Sequence, residues 1–423
     1  MKHAKTKKGY FILIALIVSG LFLLADDESK QNTLPLGPSE YKFEIGQVEK
    51  DKIIETATNK VVTMADIVKN SKNSDVFIIG EAHNSYECHT FQRDFIDTLY
   101  KENPKIIVGF EFFLREDNET LESWLQGTIS EAELLQKAGW YKKTSFNYGY
   151  TRLVMDVIKK HKIKVIGLNI PRTILRQVSR KGYPSLSAEE KKLFPTIGIY
   201  NREHEYFIKS VFGSFAVQMP MWFTNIYNAQ KCWDVIMAAS MRKVLSEKKY
   251  LGYQGVIIAG SNHVAYKLGI PFRYKKTDNR AGITTIIPVY LPEEEKDSED
   301  EDQHPMMKMM GKSLLPAAIF SRGIGDYVFS ISRPEFEFFP VMGMKTRLKD
   351  GKIVVTKVDK DSIAEKNGIR KDDIILSIDG VEVTSLEQMR MTLVVKNWDD
   401  SVNIELSKRI EIKKEKKEEK KNE

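Results

Sequence analysis

Residues 76–92, VFIIGEAHNSYECHTFQ, set Glu81, His83, Glu87, Cys88, His89 and Gln92 just past an apolar run that stops at Gly80. Three more apolar runs end in the same way. IIVGF (106–110) is followed by Glu111, VIGL (165–168) by Asn169 and Arg172, and GVIIAG (255–260) by Asn262 and His263. Neutral imidazole ligates zinc or iron, and a carboxylate ligates or takes a proton. His83, His263 and one of Glu81 and Glu111 would make a three-ligand site with an open position, for a divalent metal such as zinc or manganese. In a hydrolase, Glu81, His83, Glu111 and His263 would then be the catalytic set, with a glutamate beside the metal-bound water. The spacing is not a compact motif such as H-E-x-x-H, so the sequence does not establish a metal. The competing reading is a hydrogen-bonded polar network in which Arg172 holds Glu81 and Glu111.

Elements that deliver these groups together can be read from the pattern. The four runs are rich in Val and Ile and lack polar alternation, as strands buried on both faces should. Helical patterns separate them. Phe91, Phe95 and Leu99 recur at i, i+4, i+8, and NAQKCWDVIMAASMRKVLSEKK is a longer amphipathic stretch. Strands alternating with helices predict an α/β fold over 51–292, with a mainly parallel sheet and helices on both faces. Ligands of such sheets sit beyond the carboxyl ends of the strands, where these polar groups fall. Gln230 and Asp234, four apart, share one helical face, with Trp233 and Met237 directed to the core. His89 belongs to the first turn of its helix, lining the site or bonding nearby backbone. His161 and His204, in Lys- and Glu-rich surroundings, read as surface residues.

The chain has 423 residues and a formal charge of +7, and two or three folded units are expected. The charge does not describe a nucleic-acid face. Four lysines and no acid lie in the first 25 residues, and residues 408–423 hold eight basic and five acidic groups, which together account for the whole excess. The basic start followed by the apolar run 11–25 is laid out as a signal peptide or membrane anchor. Fifteen helical residues span only about 22 Å against about 30 Å of hydrocarbon. Export is expected in either case, to the periplasm or to the outer side of the cytoplasmic membrane, with membrane association. Residues 26–50, with Pro35 and Pro38, read as a linker. The acidic stretch 293–302 reads as part of a second linker, 293–340, within which GDYVFSIS (325–332) is a strand that returns to the sheet edge. Residues 410–423 are a charged tail. Cys88 and Cys232, the only cysteines, are expected as buried free thiols.

Two resemblances add to this. Within 341–409, DSIAEKNGIRKDDIILSIDGVEV resembles a PDZ domain of the bacterial protease-associated type. The resemblance implies a small β-rich domain that binds protein C-termini through VMGMKTRL, with Met342, Gly343, Met344, Thr346 and Leu348 at the peptide. The motifs GEAHNSYECHTFQ, VGFEFF, LNIPR, NAQKCWDVIMA and AGSNHVAYKLGIP, in order over residues 80–271, resemble the ChaN-like haem-binding uptake family, in the superfamily of Tiki-type metallopeptidases and erythromycin esterases. Asn84-Ser85-Tyr86 stands where that family usually has Asp-Asn-Pro, and its lipid-anchor cysteine is absent. The resemblance places Glu81, His83, His89, Glu111, Arg172, Gln230, Asp234 and His263 in the family's polar cluster and implies haem as ligand.

Haem requires an apolar slot and an axial ligand. The stretch 212–227 offers Phe215, Met219, Met221, Trp222, Phe223 and Tyr227, which equally suit a core or a homodimer surface. Tyr86 and Tyr266 are the tyrosines nearest the histidine loops and are candidates to reach the iron. With no C-x-x-C-H, attachment is non-covalent. The reading is therefore an exported haem-binding, iron-uptake type protein with a PDZ peptide-binding module. Its alternatives are a metal-dependent peptidase or esterase and a non-catalytic PDZ adaptor.

Overall fold

A computed structural model describes residues 31–144, 146–195, 200–292, 318–333, 342–394, 396 and 400–407. Two compact units emerge, one formed by Met1–Ala138 with Tyr150–Arg333 and the other by Gly139–Gly149 with Pro334–Glu423.

The larger unit is built on the apolar runs. Its strands are β1 (Ile45–Gln47), β2 (Ile53–Glu55), β3 (Lys60–Val62), β4 (Val76–Glu81), β5 (Ile106–Leu114), β6 (Lys164–Asn169), β7 (Gln254–Gly260), β8 (Ile283–Tyr290), β9 (Ile319–Ser321) and β10 (Tyr327–Ile331). Eight of them form one sheet in the order β3-β2-β10-β8-β4-β7-β5-β6. The pairs around β4, β5 and β7 are all parallel. All six residues of β4 are buried, which explains its unbroken apolar character. Ile78, Ile107, Ile166 and Ile257 meet in the main core. Burying each such side chain stabilises the fold by about 1.5–3 kcal/mol.

Helices pack on the sheet and approach its carboxyl edge: α1 (Tyr86–Glu102), α2 (Arg172–Lys181), α3 (Arg202–Phe212), α4 (Pro220–Leu245) and α5 (Ile270–Thr277). Ser85 caps α1 by accepting a hydrogen bond from the Cys88 N–H. The buried stripe of α1 contains the expected Phe91, Phe95 and Leu99, with Cys88, His89 and Gln92 at the end nearest the strand tips. Cys88 and Cys232 are buried and free, as expected.

This unit is wider than the sequence predicts. Residues 31–50, read as linker, carry β1, which pairs with β9 antiparallel. Leu36 and Val48 are buried, so short apolar positions between the polar ones anchor the stretch. The returning strand is β10, parallel to β8 and antiparallel to β2. It lies inside the sheet rather than beyond it, because β2 and β3 cover its other side.

The PDZ-like unit has β11 (Met344–Lys349), β12 (Lys352–Val358), β13 (Ile374–Ile378), β14 (Val381–Glu382), β15 (Ile404–Ser407) and helix α6 (Leu386–Leu393). Ile353, Val355, Ala364, Ile369, Ile375 and Ile378 form its core. β11 pairs with β12 and is the end strand of the sheet order among the described residues. Gly343, before it, has φ +71°, and a Cβ there would stand 2.2 Å from Ser362 Cβ, so only glycine fits this turn. Among the described residues no helix is long and apolar enough to cross a membrane. The signal or anchor segment, the acidic stretch and the charged tail lie outside the described residues.

Candidate functional site

Parallel register brings the strand ends level. Glu81 at the tip of β4 pairs with Gly260 at the tip of β7, and Phe110 of β5 pairs with Ile258. The pairing of β5 with β6 then breaks between Phe110 and Leu114, and Glu111 lies in that irregular stretch. Such breaks re-aim side chains at sheet edges. Here Glu111 Oε2 accepts the Gly260 N–H at 2.8 Å, while its carbonyl accepts from Asn169 Nδ2 at 2.8 Å.

Each of two imidazoles is held by a carboxylate on its Nδ1 side. His83 Nδ1 donates to Glu81 Oε1 at 2.8 Å, and His263 Nδ1 donates to Asp234 Oδ1 at 2.6 Å. The amide end of Gln230 lies 2.8 Å from the same His263 nitrogen. The opposite nitrogens turn inward. His263 Nε2 is 3.7 Å from Glu111 Oε1. His83 Nε2 and Glu111 Oε2 lie 3.1 and 3.6 Å from the place a Cβ on Gly260 would occupy. Any side chain at position 260 would press on the His83 ring, and this is why the tip of β7 is glycine.

The surroundings set the protonation of these groups. Burial alone would raise the Glu81 pKa, but bonds from His83 and Gln92 and the nearby imidazoles outweigh it and hold the carboxyl at about 2. Burial pulls His83 down, yet its bond to Glu81 and the charges of Glu81 and Glu111 leave it raised. His263 is likewise opposed by burial and raised by Glu111 and Asp234. His89 goes the other way, its pKa lowered by burial. Its Nδ1 donates to the Ser85 carbonyl at 2.8 Å and its Nε2 stands 3.7 Å from Glu81 Oε2. His89 thus bonds nearby backbone and also stands beside Glu81. Gln92 Nε2 donates to the same Glu81 oxygen at 3.0 Å. Arg172, at the start of α2, is depressed by burial and by Arg176, with Glu111 opposing.

Glu81, His83, His89, Glu111, Arg172, Gln230, Asp234 and His263 thus come together at one edge of the sheet. They do not form a ready cage: among the described residues no group of three or more His, Cys, Asp or Glu is arranged to hold a metal ion. A carboxylate on Nδ1 is compatible with ligation through Nε2, but Glu111 is already bonded to backbone. Of the two tyrosines considered for iron, Tyr266 has its hydroxyl engaged by the start of the described chain. Tyr266 is buried, donates to the Gln31 carbonyl at 2.5 Å and accepts from the Leu34 N–H at 2.9 Å. Tyr86 lies against Arg93. The apolar stretch divides. Phe223 and Tyr227 join the core, whereas Met219, Met221 and Trp222 are exposed together with Val217. Trp233, assigned to the core, is partly buried and stands edge-on to His263 at 6.1 Å.

Two members were missed in the sequence. His204, read as a surface residue, is fully buried with Arg273 beside it. The legible signal was spacing, since His204, Phe207 and Ile208 form the buried stripe of α3. Charged neighbours on the other face of that helix concealed it.

Residues 67–273 match the family described as haem-binding uptake, Tiki superfamily, ChaN, and residues 340–420 match the PDZ domain. The chain carries a ChaN-like domain and a PDZ domain. Solved structures resemble it more distantly. ChaN of Campylobacter jejuni with cofacially bound haem is 16% identical, with a TM-score of 0.48 over 66% of this chain and 98% of that one. An erythromycin esterase variant in its open conformation is 10% identical, with a TM-score of 0.38 over 67% of this chain and 96% of that one. No curated protein matches the chain. The ChaN-like domain holds the polar cluster, and the PDZ domain holds the edge strand β11.

Proposed function

We propose that the ChaN-like domain binds haem non-covalently, in an exported protein of iron uptake, while the PDZ domain captures the C-terminus of a partner. The observation that carries the haem reading is an exposed apolar tip on a domain matching a haem-binding uptake family. Val217 and Met221 are each 81% exposed, Trp222 43% and Met219 42%. Large apolar side chains so displayed mark a ligand or partner surface. The donor set fits haem: Met219 and Met221 offer thioether sulfur for the iron, and Val217 and Trp222 offer a wall for the macrocycle. Bound there, haem would supply iron for transfer, and the protein's part is to hold the ring out of water.

A second reading draws on the cluster. His263 turns its Nε2 toward Glu111, and His83 Nε2 lies beside Gly260, each from a carboxylate-anchored ring, an arrangement suited to general bases or to ligands with an open position. That supports a hydrolase using zinc or manganese. Titrating haem into the purified protein and following its absorption separates the two. Stoichiometric uptake, lost in a Met221→Ala/Trp222→Ala double variant and kept in His83→Ala, is the expected result. A protein that takes up no haem but holds zinc or manganese, released by His83→Ala, would replace the first reading with the second.

A further inference from the structure

The edge strand of the PDZ domain carries a charge pattern that selects what can lie beside it. Residues 344–358, MKTRLKDGKIVVTKV, hold five basic residues and one acid. A strand points successive side chains to opposite faces. Lys345, Arg347 and Lys349 therefore share one face of β11, and Met344, Thr346 and Leu348 share the other. The inner partner strengthens the first face, because the register of β11 with β12 sets Lys345 against Lys357 and Lys349 against Lys352. Like charges directly opposite one another are destabilising. Asp359 bonds Lys357 at 2.5 Å, and its charge also reaches Lys345. Among the described residues Arg347, Lys349 and Lys352 make no ion pair, and all three are exposed. The second face is apolar at its start. Met342, Met344, Leu386 and Leu393 are half-buried against the domain core, and α6 lies beside β11.

We propose that the partner of the PDZ domain is an acidic C-terminal peptide, with apolar residues at alternate positions and Asp or Glu between them. This rests on the reading that the domain captures a free carboxyl, at the turn before β11. A chain that ends at that turn lies antiparallel along β11. Its last, third-last and fifth-last residues then fall on the side of Met344, Thr346 and Leu348. Its second-, fourth- and sixth-last fall beside Lys345, Arg347 and Lys349, because residues directly opposite in a sheet share a face. Acidic side chains there set a negative row against two positive ones. A second copy of β11 would bring like charges together, and a neutral strand would leave the basic row unpaired. Three added pairs of opposite charge correspond to roughly tenfold in affinity.

The test is calorimetry on the full-length protein with a short synthetic peptide. The probe has valine with a free carboxyl at its end, valine at the third- and fifth-last positions, and glutamate at the second-, fourth- and sixth-last. Its twins carry glutamine for glutamate, lysine for glutamate, or a C-terminal amide. The glutamate peptide should bind roughly tenfold tighter than the glutamine peptide, with the gap closing as salt is raised. In an Arg347→Glu/Lys349→Glu variant the order should invert. The lysine peptide then binds tightest, and unchanged affinity for the glutamine peptide shows that the groove is intact. Equal binding of the glutamate and glutamine peptides, both weakened by amidation, overturns the acidic partner and leaves carboxylate capture standing. Equal binding of free and amidated forms overturns capture, and the inference falls with it. Phosphatidylglycerol vesicles that bind the wild type and not the variant, with no preference among the peptides, would assign this face to a membrane and overturn the proposal.

Discussion

Replacing Glu81 by Gln should change how stability depends on acid. Glu81 is buried at the tip of β4, bonded to His83 and Gln92, and its carboxyl lies at about 2 instead of 4.5. Its folded pKa is depressed, so its contribution is present above about pH 4.5 and is lost as pH falls toward 2. That interval corresponds to about 3 kcal/mol, at 1.36 kcal/mol per pH unit. His83, raised by the same contact, acts at the opposite end. Its contribution is complete below about pH 6.5 and fades as pH rises through its raised folded value. Urea unfolding of wild type and Glu81→Gln at closely spaced pH values measures both. Wild type should exceed the variant most at pH 5–6, with the difference shrinking by about 3 kcal/mol on acidification toward pH 2. Two parallel curves over pH 2–5 would refute the assignment of Glu81 as a buried, bonded carboxylate.

Asp234→Ala should destabilise the ChaN-like domain by about 3–5 kcal/mol in urea, because it strands the buried charge of Arg273. A loss under about 1 kcal/mol would mean that the Leu268 and Gly269 carbonyls suffice for that guanidinium. In the PDZ domain, a peptide ending in a free apolar carboxyl should bind along β11 and weaken by roughly tenfold or more when amidated, since bonds to a charged group contribute about 1.5–3 kcal/mol. Calorimetry giving equal affinities for the two forms would exclude carboxylate capture.

Much of this site is written locally. Runs such as VFIIG and GVIIAG declare strands buried on both faces, and such strands in a parallel sheet must end level at one edge. That reasoning alone brings Glu81, His83, Glu111 and His263 to one place. The PDZ core is legible for the same reason, since its apolar positions and turn glycines are close in sequence. Composition misleads where only a few residues anchor a segment, as with Leu36 and Val48 in the polar stretch 31–50.

Other features belong to the folded chain only. Whether a methionine or tryptophan in 212–227 is core or surface depends on which turn of α4 meets the sheet: Phe223 goes in and Trp222 stays out. Tyr266 sits beside a histidine in sequence, yet its hydroxyl is taken by Gln31 and Leu34 from the far end of the chain. His204 and Arg273 have no chemistry until α3 and α5 are packed against α4. Residue type and periodicity determine which side chains reach the sheet edge, because burial is a local pattern. The direction of each hydrogen bond is a property of neighbours in space. Only the tertiary structure, by setting Asp234 of α4 against Nδ1 of His263, decides which ring nitrogen is held and which turns toward Glu111.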